Sequence, residues 1–178
     1  MKLNFSIFPD DFSADNPTAD GRLESFADAD LGGDVKTKRS TSGGLSMLLG
    51  SKTRAVVQGY SKRQGQLGIS TPESETVSLV VLGKRVIVLH LLVQRLLKRV
   101  VKNVYRTDNS ACERVVSTGI SQQMAYLKRT AALSLSWARH YLSKDLTRVP
   151  TNDNPSDIYT KPLDREKFET FRTYIGIW

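Results

Sequence analysis

Four carboxylates stand where an α/β sheet domain would gather chemically active side chains. One ends a strand-like run, one lies in the first turn of a predicted helix, one ends a later strand-like run, and one opens the last helical segment. They are Asp28, Glu75, Asp108 and Asp157. Strand ends and helix starts converge on one edge of such a sheet, so we expect these side chains to lie together. Clustered carboxylates repel one another unless a divalent cation neutralises them, and Mg²⁺ prefers such oxygen ligands.

A pair of divalent ions about 4 Å apart can cleave a phosphodiester bond, because one activates the attacking water and the other stabilises the leaving oxygen. Each carboxylate also has an ordinary structural explanation. Asp28 could be a solvated turn residue, and Glu75 could complement a helix dipole. Asp108 could cap the next helix, and Asp157 could partner a cap at Asn154. The spacing of the four residues leaves both explanations open.

The elements that must position these residues are predicted in the order βββαβααβα, which is a mixed α/β sheet domain. The long helix begins at Ser70, where Glu73 completes a capping box and Pro72 suits the first turn, and runs to about residue 99. The close spacing of the first three strands favours an antiparallel meander. The strands are predicted over residues 22–29, 40–49, 54–60, 100–107 and 146–149, and the other helices over 109–117, 122–143 and from 154 onward.

Composition excludes several kinds of site. The chain has 178 residues but a single cysteine, Cys112, and two histidines, His90 and His140. These counts exclude an internal disulfide framework and a Cys-rich zinc site, and we expect Cys112 to be a buried, inert thiol. No unbroken apolar run reaches the roughly 18 residues that span a bilayer, and no signal-peptide pattern is present. We therefore expect an intracellular protein, cytoplasmic or nuclear, with no membrane partner.

Charge is distributed unevenly along the chain, whose formal net charge is +8. Residues 1–34 hold two basic and eight acidic side chains, whereas residues 35–178 hold 24 basic and 10 acidic ones. Residues 1–21, rich in Asp, Pro and Asn, are predicted to form a flexible acidic leader, and residues 22–178 the folded domain. The excess of basic side chains in residues 35–178 favours a polyanionic partner such as nucleic acid.

Six segments, in order and at fitting intervals, resemble the ribonuclease H domain at the C-terminal end of copia-type retrotransposon polyproteins, where it follows the reverse transcriptase. They read FADADLGGD (26–34), KRSTSG (38–43), SKRQ (61–64), STPESE (70–75), TDNSA (107–111) and NPSDIYTKPL (154–163). The resemblance implies a ribonuclease H-like fold. That fold has a mixed five-stranded sheet, with three antiparallel strands and then two more, and helices on both faces.

The resemblance also implies a chemistry. That family's Asp-Glu-Asp-Asp set falls on the four acids above, with Asp30 and Glu73 as near alternatives. The implied activity is endonucleolytic hydrolysis of the RNA strand of an RNA–DNA hybrid, with two Mg²⁺ or Mn²⁺ ions at the four carboxylates. A reverse transcriptase domain in the parent polyprotein is the expected protein partner.

Further residues are candidates for contact with the nucleic acid. Gln64, Asn109 and the backbone near Ser74 are candidate contacts to the 2′-hydroxyl, which distinguishes RNA from DNA. Candidate phosphate contacts are basic side chains, namely Lys38, Arg39, Lys62, Arg63, Lys128 and Arg129.

One departure from the family pattern bears on activity. The family's histidine between the third and fourth acids is missing, because residues 126–132 read YLKRTAA. His140 is nearby in sequence, but we expect it to be a partly exposed structural histidine on a helix. The alternative function is therefore a nucleic-acid-binding remnant with weakened catalysis. An integrase-type DNA strand transferase is disfavoured by the order of the four acids.

Overall fold

Five strands form one mixed sheet in the order β3-β2-β1-β4-β5. The structure, a computed structural model, describes residues 6–16, 19–130 and 133–177. The strands are β1 (Arg22–Asp30), β2 (Thr41–Leu49), β3 (Arg54–Arg63), β4 (Lys102–Thr107) and β5 (Leu146–Arg148). Strands β1, β2 and β3 pair antiparallel, while β4 pairs parallel with both β1 and β5. The predicted meander and mixed five-stranded sheet are confirmed.

Helices cover both faces of this sheet. They are α1 (Thr71–Leu97), α2 (Ser110–Thr118), α3 (Leu127–Thr130), α4 (Leu135–Leu142) and α5 (Arg165–Tyr174), with 3-10 helices at Pro9–Phe12, Thr151–Asp153 and Pro155–Tyr159. Strand residues alternate between two faces, so Leu23 and Ala27 join the core formed with α1, α2 and α4. Phe26 joins a second, smaller core with Ile175 on the opposite face.

Helix α1 begins where the capping pattern predicts. The Ser70 hydroxyl accepts a hydrogen bond from the Glu73 amide at 3.4 Å, and Lys98 ends the helix in the left-handed conformation. By length and composition alone, α1 is apolar enough to cross a membrane, although no unbroken apolar run reaches that length. Half of its most apolar stretch is buried within the protein, and the helix packs on β1 and β2.

The single helix predicted over residues 122–143 is wrong. Two short helices, α3 and α4, occupy this region, and the two positions 131–132 between them lie outside the described residues. Ser134 starts α4, because its hydroxyl accepts a hydrogen bond from the Trp137 amide at 3.2 Å. Serine is a favoured N-cap, and this cap makes a new helix start inside the apolar pattern that predicted one continuous helix.

The described residues before position 22 pack against the turn between β2 and β3. The Asp11 carboxylate, which is buried, accepts hydrogen bonds from the Ser51 hydroxyl at 2.8 Å and the Thr53 amide at 2.6 Å. Phe12 is buried beside it in the larger core. The described part of the predicted leader is therefore attached to the sheet, while the domain division at residue 21 stays a prediction.

Candidate active site

Three carboxylates converge at the edge of the sheet where β1 and β4 end. Asp28 lies near the end of β1, Asp108 follows β4, and Glu75 lies in the second turn of α1. One carboxylate oxygen from each lies within 4.8 Å of the others. Because β1 and β4 run parallel, their carboxyl ends meet at this edge. We call Asp28, Glu75 and Asp108 the carboxylate trio.

Hydrogen bonds hold the elements that carry the trio. The Ser78 hydroxyl on α1 lies 2.7 Å from the carbonyl oxygen of Asp28 and 3.2 Å from that of Gly43, which joins the helix to β1 and β2. The cap of α2 is Asn109, whose side-chain oxygen accepts a hydrogen bond from the Cys112 amide at 2.9 Å. Asp108 is therefore not used as a cap, and its carboxylate joins the trio.

The near alternatives Asp30 and Glu73 lie outside the trio. The Glu73 carboxylate turns back along α1 and accepts hydrogen bonds from the Ile69 amide at 3.0 Å and from the Tyr126 hydroxyl. The Asp30 carboxylate lies against Gly33 in the loop after β1, because a Cβ at Gly33 would meet Asp30 Oδ2. Of these five acids, the geometry groups only the trio.

Burial and mutual repulsion raise the pKa values of two trio members. Burial, followed by the charges of Asp28 and Asp108, raises the pKa of Glu75 to about 9. Burial raises the pKa of Asp28 to about 6, although a hydrogen bond from Thr160 opposes the shift. Both carboxyls therefore hold protons more tightly than they would in water, because burial and the neighbouring acids outweigh the opposing charge of Lys161.

The trio suits a hard divalent cation. Within the described part of the chain, Glu75 Oε2 and Asp108 Oδ1 are buried oxygens without a hydrogen-bond donor. Buried polar atoms are normally hydrogen-bonded, so these two need a partner. Carboxylate oxygens are the ligands that Mg²⁺ prefers, and the three side chains converge closely enough to share one ion.

Asp157, the fourth predicted acid, is paired with lysines. Its carboxylate is fully buried, with Oδ1 2.8 Å from Lys161 Nζ and Oδ2 2.7 Å from Lys167 Nζ. Lys161 Nζ also lies 3.7 Å from Asp28 Oδ2. The structure therefore places Asp157 beside the trio but joins it there through an ammonium group. Its assignment as a catalytic metal ligand stays a prediction.

The segment that carries Asp157 is fixed to the centre of the sheet. Asn154 is buried and donates a hydrogen bond from Nδ2 to the Ala27 carbonyl at 3.0 Å. The Thr160 hydroxyl at the other end of the segment donates to the Asp28 carboxylate. These two hydrogen bonds hold Asp157 beside the trio, although it is distant in sequence from Asp28.

Three residues of the site were missed at the level of sequence. Thr160 and Lys161 belong to the NPSDIYTKPL segment, which carried a signal for the fold, but nothing in the pattern distinguished their contacts from those of solvated residues. Lys167, in α5, lies outside every matched segment, and only the packing of α5 reveals its pairing with Asp157.

The predicted phosphate contacts are placed mostly at the same end of the sheet as the trio. Lys38 and Arg39 lie in the loop that follows β1, and Lys62 and Arg63 pair with the residues that begin β2. Lys38, Lys62 and Arg63 are exposed, and Arg63 pairs with Asp34 at 3.0 Å. Lys128 is exposed on α3, and the side chain of Arg129 lies outside the described residues.

The predicted 2′-hydroxyl contacts, namely Gln64, Asn109 and the backbone of Ser74, all make hydrogen bonds within the protein. Gln64 is buried, and its Nε2 donates hydrogen bonds to Ser42 Oγ at 2.9 Å and to the Ser74 carbonyl at 3.0 Å. We therefore leave Gln64 out of the contacts proposed below. Asn109 Oδ1 serves as the α2 cap, while the residue stays partly exposed beside Asp108.

Neither the single cysteine nor the histidine His140 belongs to the trio. Cys112 is buried, as predicted, and burial raises its pKa to about 12. His140 is exposed on α4 with its ring against Tyr141.

Comparisons with known proteins agree with this architecture. No protein-family model matches the chain. The retrovirus-related Pol polyprotein from transposon TNT 1-94 of Nicotiana tabacum is 28% identical over 165 residues. That match covers 89% of this chain but only 12% of the polyprotein. Among solved structures, the N-terminal RNase H domain of Rv2228c from Mycobacterium tuberculosis, a fusion with maltose-binding protein, superposes with a TM-score of 0.51 at 9% identity. That similarity spans 86% of this chain and 97% of the solved one, and the chain therefore has a ribonuclease H-like fold.

Proposed function

We propose that this protein is a metal-dependent endonuclease that hydrolyses the RNA strand of RNA–DNA hybrids. The observation that carries the proposal is the carboxylate trio, with Asp28 and Glu75 buried and Asp108 partly exposed, at the strand ends of a ribonuclease H-like sheet. The similarity to a transposon Pol polyprotein supports a retroelement origin. The six matched segments support a copia-type element, with the domain placed after a reverse transcriptase that would be its partner.

The trio would hold Mg²⁺ or Mn²⁺, which supplies Lewis-acid activation of the phosphodiester when bound. The chain's own part is to position the substrate and to keep the trio together. Lys62 and Arg63 at the end of β3, and Lys38 and Arg39 in the loop between β1 and β2, would bind backbone phosphates beside the trio. Asn109, next to Asp108, is the proposed contact to the RNA 2′-hydroxyl.

The number of ions is a separate part of the proposal. Two ions at four carboxylates are what the sequence predicts, with Asp157 as the fourth ligand. Both Asp157 oxygens are paired with lysines in this structure, so the fit observed here is for one ion at the trio.

Cleavage of defined duplexes tests the proposal. The wild-type protein is incubated with Mg²⁺ or Mn²⁺ and an RNA–DNA hybrid, an RNA duplex or a DNA duplex of one sequence. We expect cleavage of the RNA strand of the hybrid alone. Asp28→Asn should lower the rate by about 100-fold or more. Asp30→Asn, on the same strand but outside the trio, is the matched control and should cleave at the wild-type rate.

The alternative is a nucleic-acid-binding remnant with weakened catalysis. Two observations favour it, namely the absent family histidine and the lysine pairing of Asp157. Tight binding of the hybrid by the wild-type protein without any cleavage in Mn²⁺ would contradict our proposal and establish this alternative.

A further inference from the structure

One cation is already present among the acids of the site. Lys161 Nζ lies 2.8 Å from Asp157 Oδ1 and 3.7 Å from Asp28 Oδ2, so a single ammonium group bridges the fourth acid and the trio. About a third of the Lys161 side chain is exposed, whereas both carboxylates are buried. A buried carboxylate needs a paired charge, and Lys161 supplies it for two at once.

The second oxygen of Asp157 is also taken. Lys167 Nζ lies 2.7 Å from Asp157 Oδ2 and reaches it from α5, on the smaller-core face of the sheet. Both Asp157 oxygens therefore lie in ion pairs, Oδ2 with a hydrogen bond from Lys167 and Oδ1 beside Lys161 without one. To bind a metal, it would first have to release one of these ammonium groups.

The charges balance with one divalent ion. The trio and Asp157 carry four negative charges when ionised, and Lys161 and Lys167 carry two positive ones. A single divalent ion at the trio would complete neutrality. A second ion would leave the site with excess positive charge in the absence of a phosphate.

We propose that Lys161 serves as a built-in cation on the Asp157 side of the site, so that the substrate-free protein binds one divalent ion, at the trio. The proposal rests on the proposed function, because it takes the trio to be the metal site. Lys161 and Lys167 act as positioning residues that hold Asp157 away from the ion. Removing the Lys161 ammonium should free Asp157 Oδ1 and open a second ion position between Asp157 and Asp28.

Counting bound Mn²⁺ by electron paramagnetic resonance during a titration tests this directly. We expect one bound ion per wild-type chain and two per Lys161→Met chain. Lys161→Arg keeps the positive charge and should stay at one ion. Lys52→Met, which removes an exposed lysine from the distant turn between β2 and β3, is the matched control and should also stay at one. Adding Asp157→Asn to Lys161→Met should return the count to one.

Several results would overturn the proposal. Two ions on the wild-type chain, or one ion on a Lys161→Met chain that melts like the wild type, would each contradict it. If Lys161→Met does not fold, Asp157→Asn decides, because it should still bind one ion. Loss of that ion would show that Asp157 is a ligand.

Absence of any bound Mn²⁺ on the wild-type chain would refute both this inference and the metal dependence of the proposed function. Hybrid cleavage with an ion count of two would refute the inference alone.

Discussion

Several acids near the site could either cap or stabilise a helix or join the carboxylate trio, and their neighbours decide which role each one takes. Asp108 could have capped α2, but Asn109 makes the cap instead and leaves an Asp108 oxygen without a donor. Glu73 and Glu75 lie two residues apart on α1, yet Glu73 bonds to Ile69 and Tyr126 while Glu75 joins the trio. The sequence predicted which acids were candidates for the site. Which of them joins the trio depends on the directions of the side chains, which the sequence does not give.

Glu75 should make the metal-free protein less stable as the pH rises. Its pKa is about 9 in the folded chain against an ordinary value of 4.5, so between these values the folded state holds a proton that the unfolded chain releases. The free energy of unfolding should fall by up to about 1.4 kcal/mol per pH unit from this group. Urea denaturation in EDTA at several pH values between 6 and 8 measures the slope.

Glu75→Gln is the comparison for that slope. The amide has nearly the same shape as the protonated acid and does not titrate, so the variant should show a shallower decrease of stability with pH. Equal slopes for the two proteins would contradict the raised pKa of Glu75.

The packing of secondary-structure elements brings the Asp157 segment, which is distant in sequence, next to Asp28 on β1. The Pro155–Tyr159 helix lies over β1 and β2, where Gly43 pairs with Asp28. A Cβ at Gly43 would lie 2.5 Å from Thr160 Cγ2 and 3.0 Å from the Ser156 carbonyl oxygen. The absence of a side chain at this position is what lets the Asp157 segment approach the trio.

Gly43→Ala should therefore displace that segment. We expect a loss of about 1–3 kcal/mol in the free energy of unfolding, typical of overpacking. Gly65→Ala is the control, because a Cβ there meets nothing within 4 Å. Urea denaturation measures the effect. A Gly43→Ala protein as stable as Gly65→Ala would refute the close packing.

Asp11 should anchor the N-terminal segment to the turn between β2 and β3. Burial tends to raise its pKa, but hydrogen bonds from Thr53, Ser51 and Lys52 lower it to about 2. Asp11→Ala should cost about 2 kcal/mol, because it leaves buried amide donors unpaired. A lowered pKa contributes stability above the ordinary value of 3.8, which is lost as the pH falls through about 2.

Chemical denaturation compares this variant with Asp10→Ala, whose side chain is exposed. We expect Asp10→Ala to match the wild type, and an equal stability for both variants would rule out the anchoring.

Local signals predicted the elements well only where the determining contacts were local. Ser70, Pro72 and Glu73 lie within one turn, and they correctly located the start of α1. The division between α3 and α4 was missed because apolar spacing continues through it while Ser134 starts a new helix. The pairing of Asp157 with Lys167 could not be predicted, because Lys167 reaches it only through the packing of α5.

The whole molecule combines a buried acidic site with a basic surface. The net charge of +8 hides this division, because several acids are buried or paired while the exposed side chains of Lys38, Lys62 and Arg63 lie at the end of the sheet that carries the trio. Charge of this kind attracts a polyanion and makes its binding depend on salt. At the scale of the whole molecule, the sequence predicted a polyanionic partner. The fold indicates that this partner should lie at the end of the sheet that carries the trio.

Lys62 should contribute one phosphate contact to hybrid binding. Lys62→Ala should reduce the slope of log affinity against log salt concentration by about 0.9, the value for one released counterion. Lys52→Ala removes the same charge at the opposite end of β3 and should leave the slope unchanged. Fluorescence anisotropy over a range of salt concentrations measures both, and identical slopes for the two variants would place the nucleic acid elsewhere.

Asp108 offers the most direct test of the proposed function. Asparagine keeps the size of the side chain and removes its charge, so Asp108→Asn should keep the fold and bind the hybrid as the wild type does. The decisive measurement is the initial rate at which each protein cleaves the RNA strand of a labelled hybrid in Mn²⁺. We predict cleavage by the wild type and a rate at least about 100-fold lower for Asp108→Asn. Equal rates for the two proteins would contradict the assignment of the trio as the catalytic site.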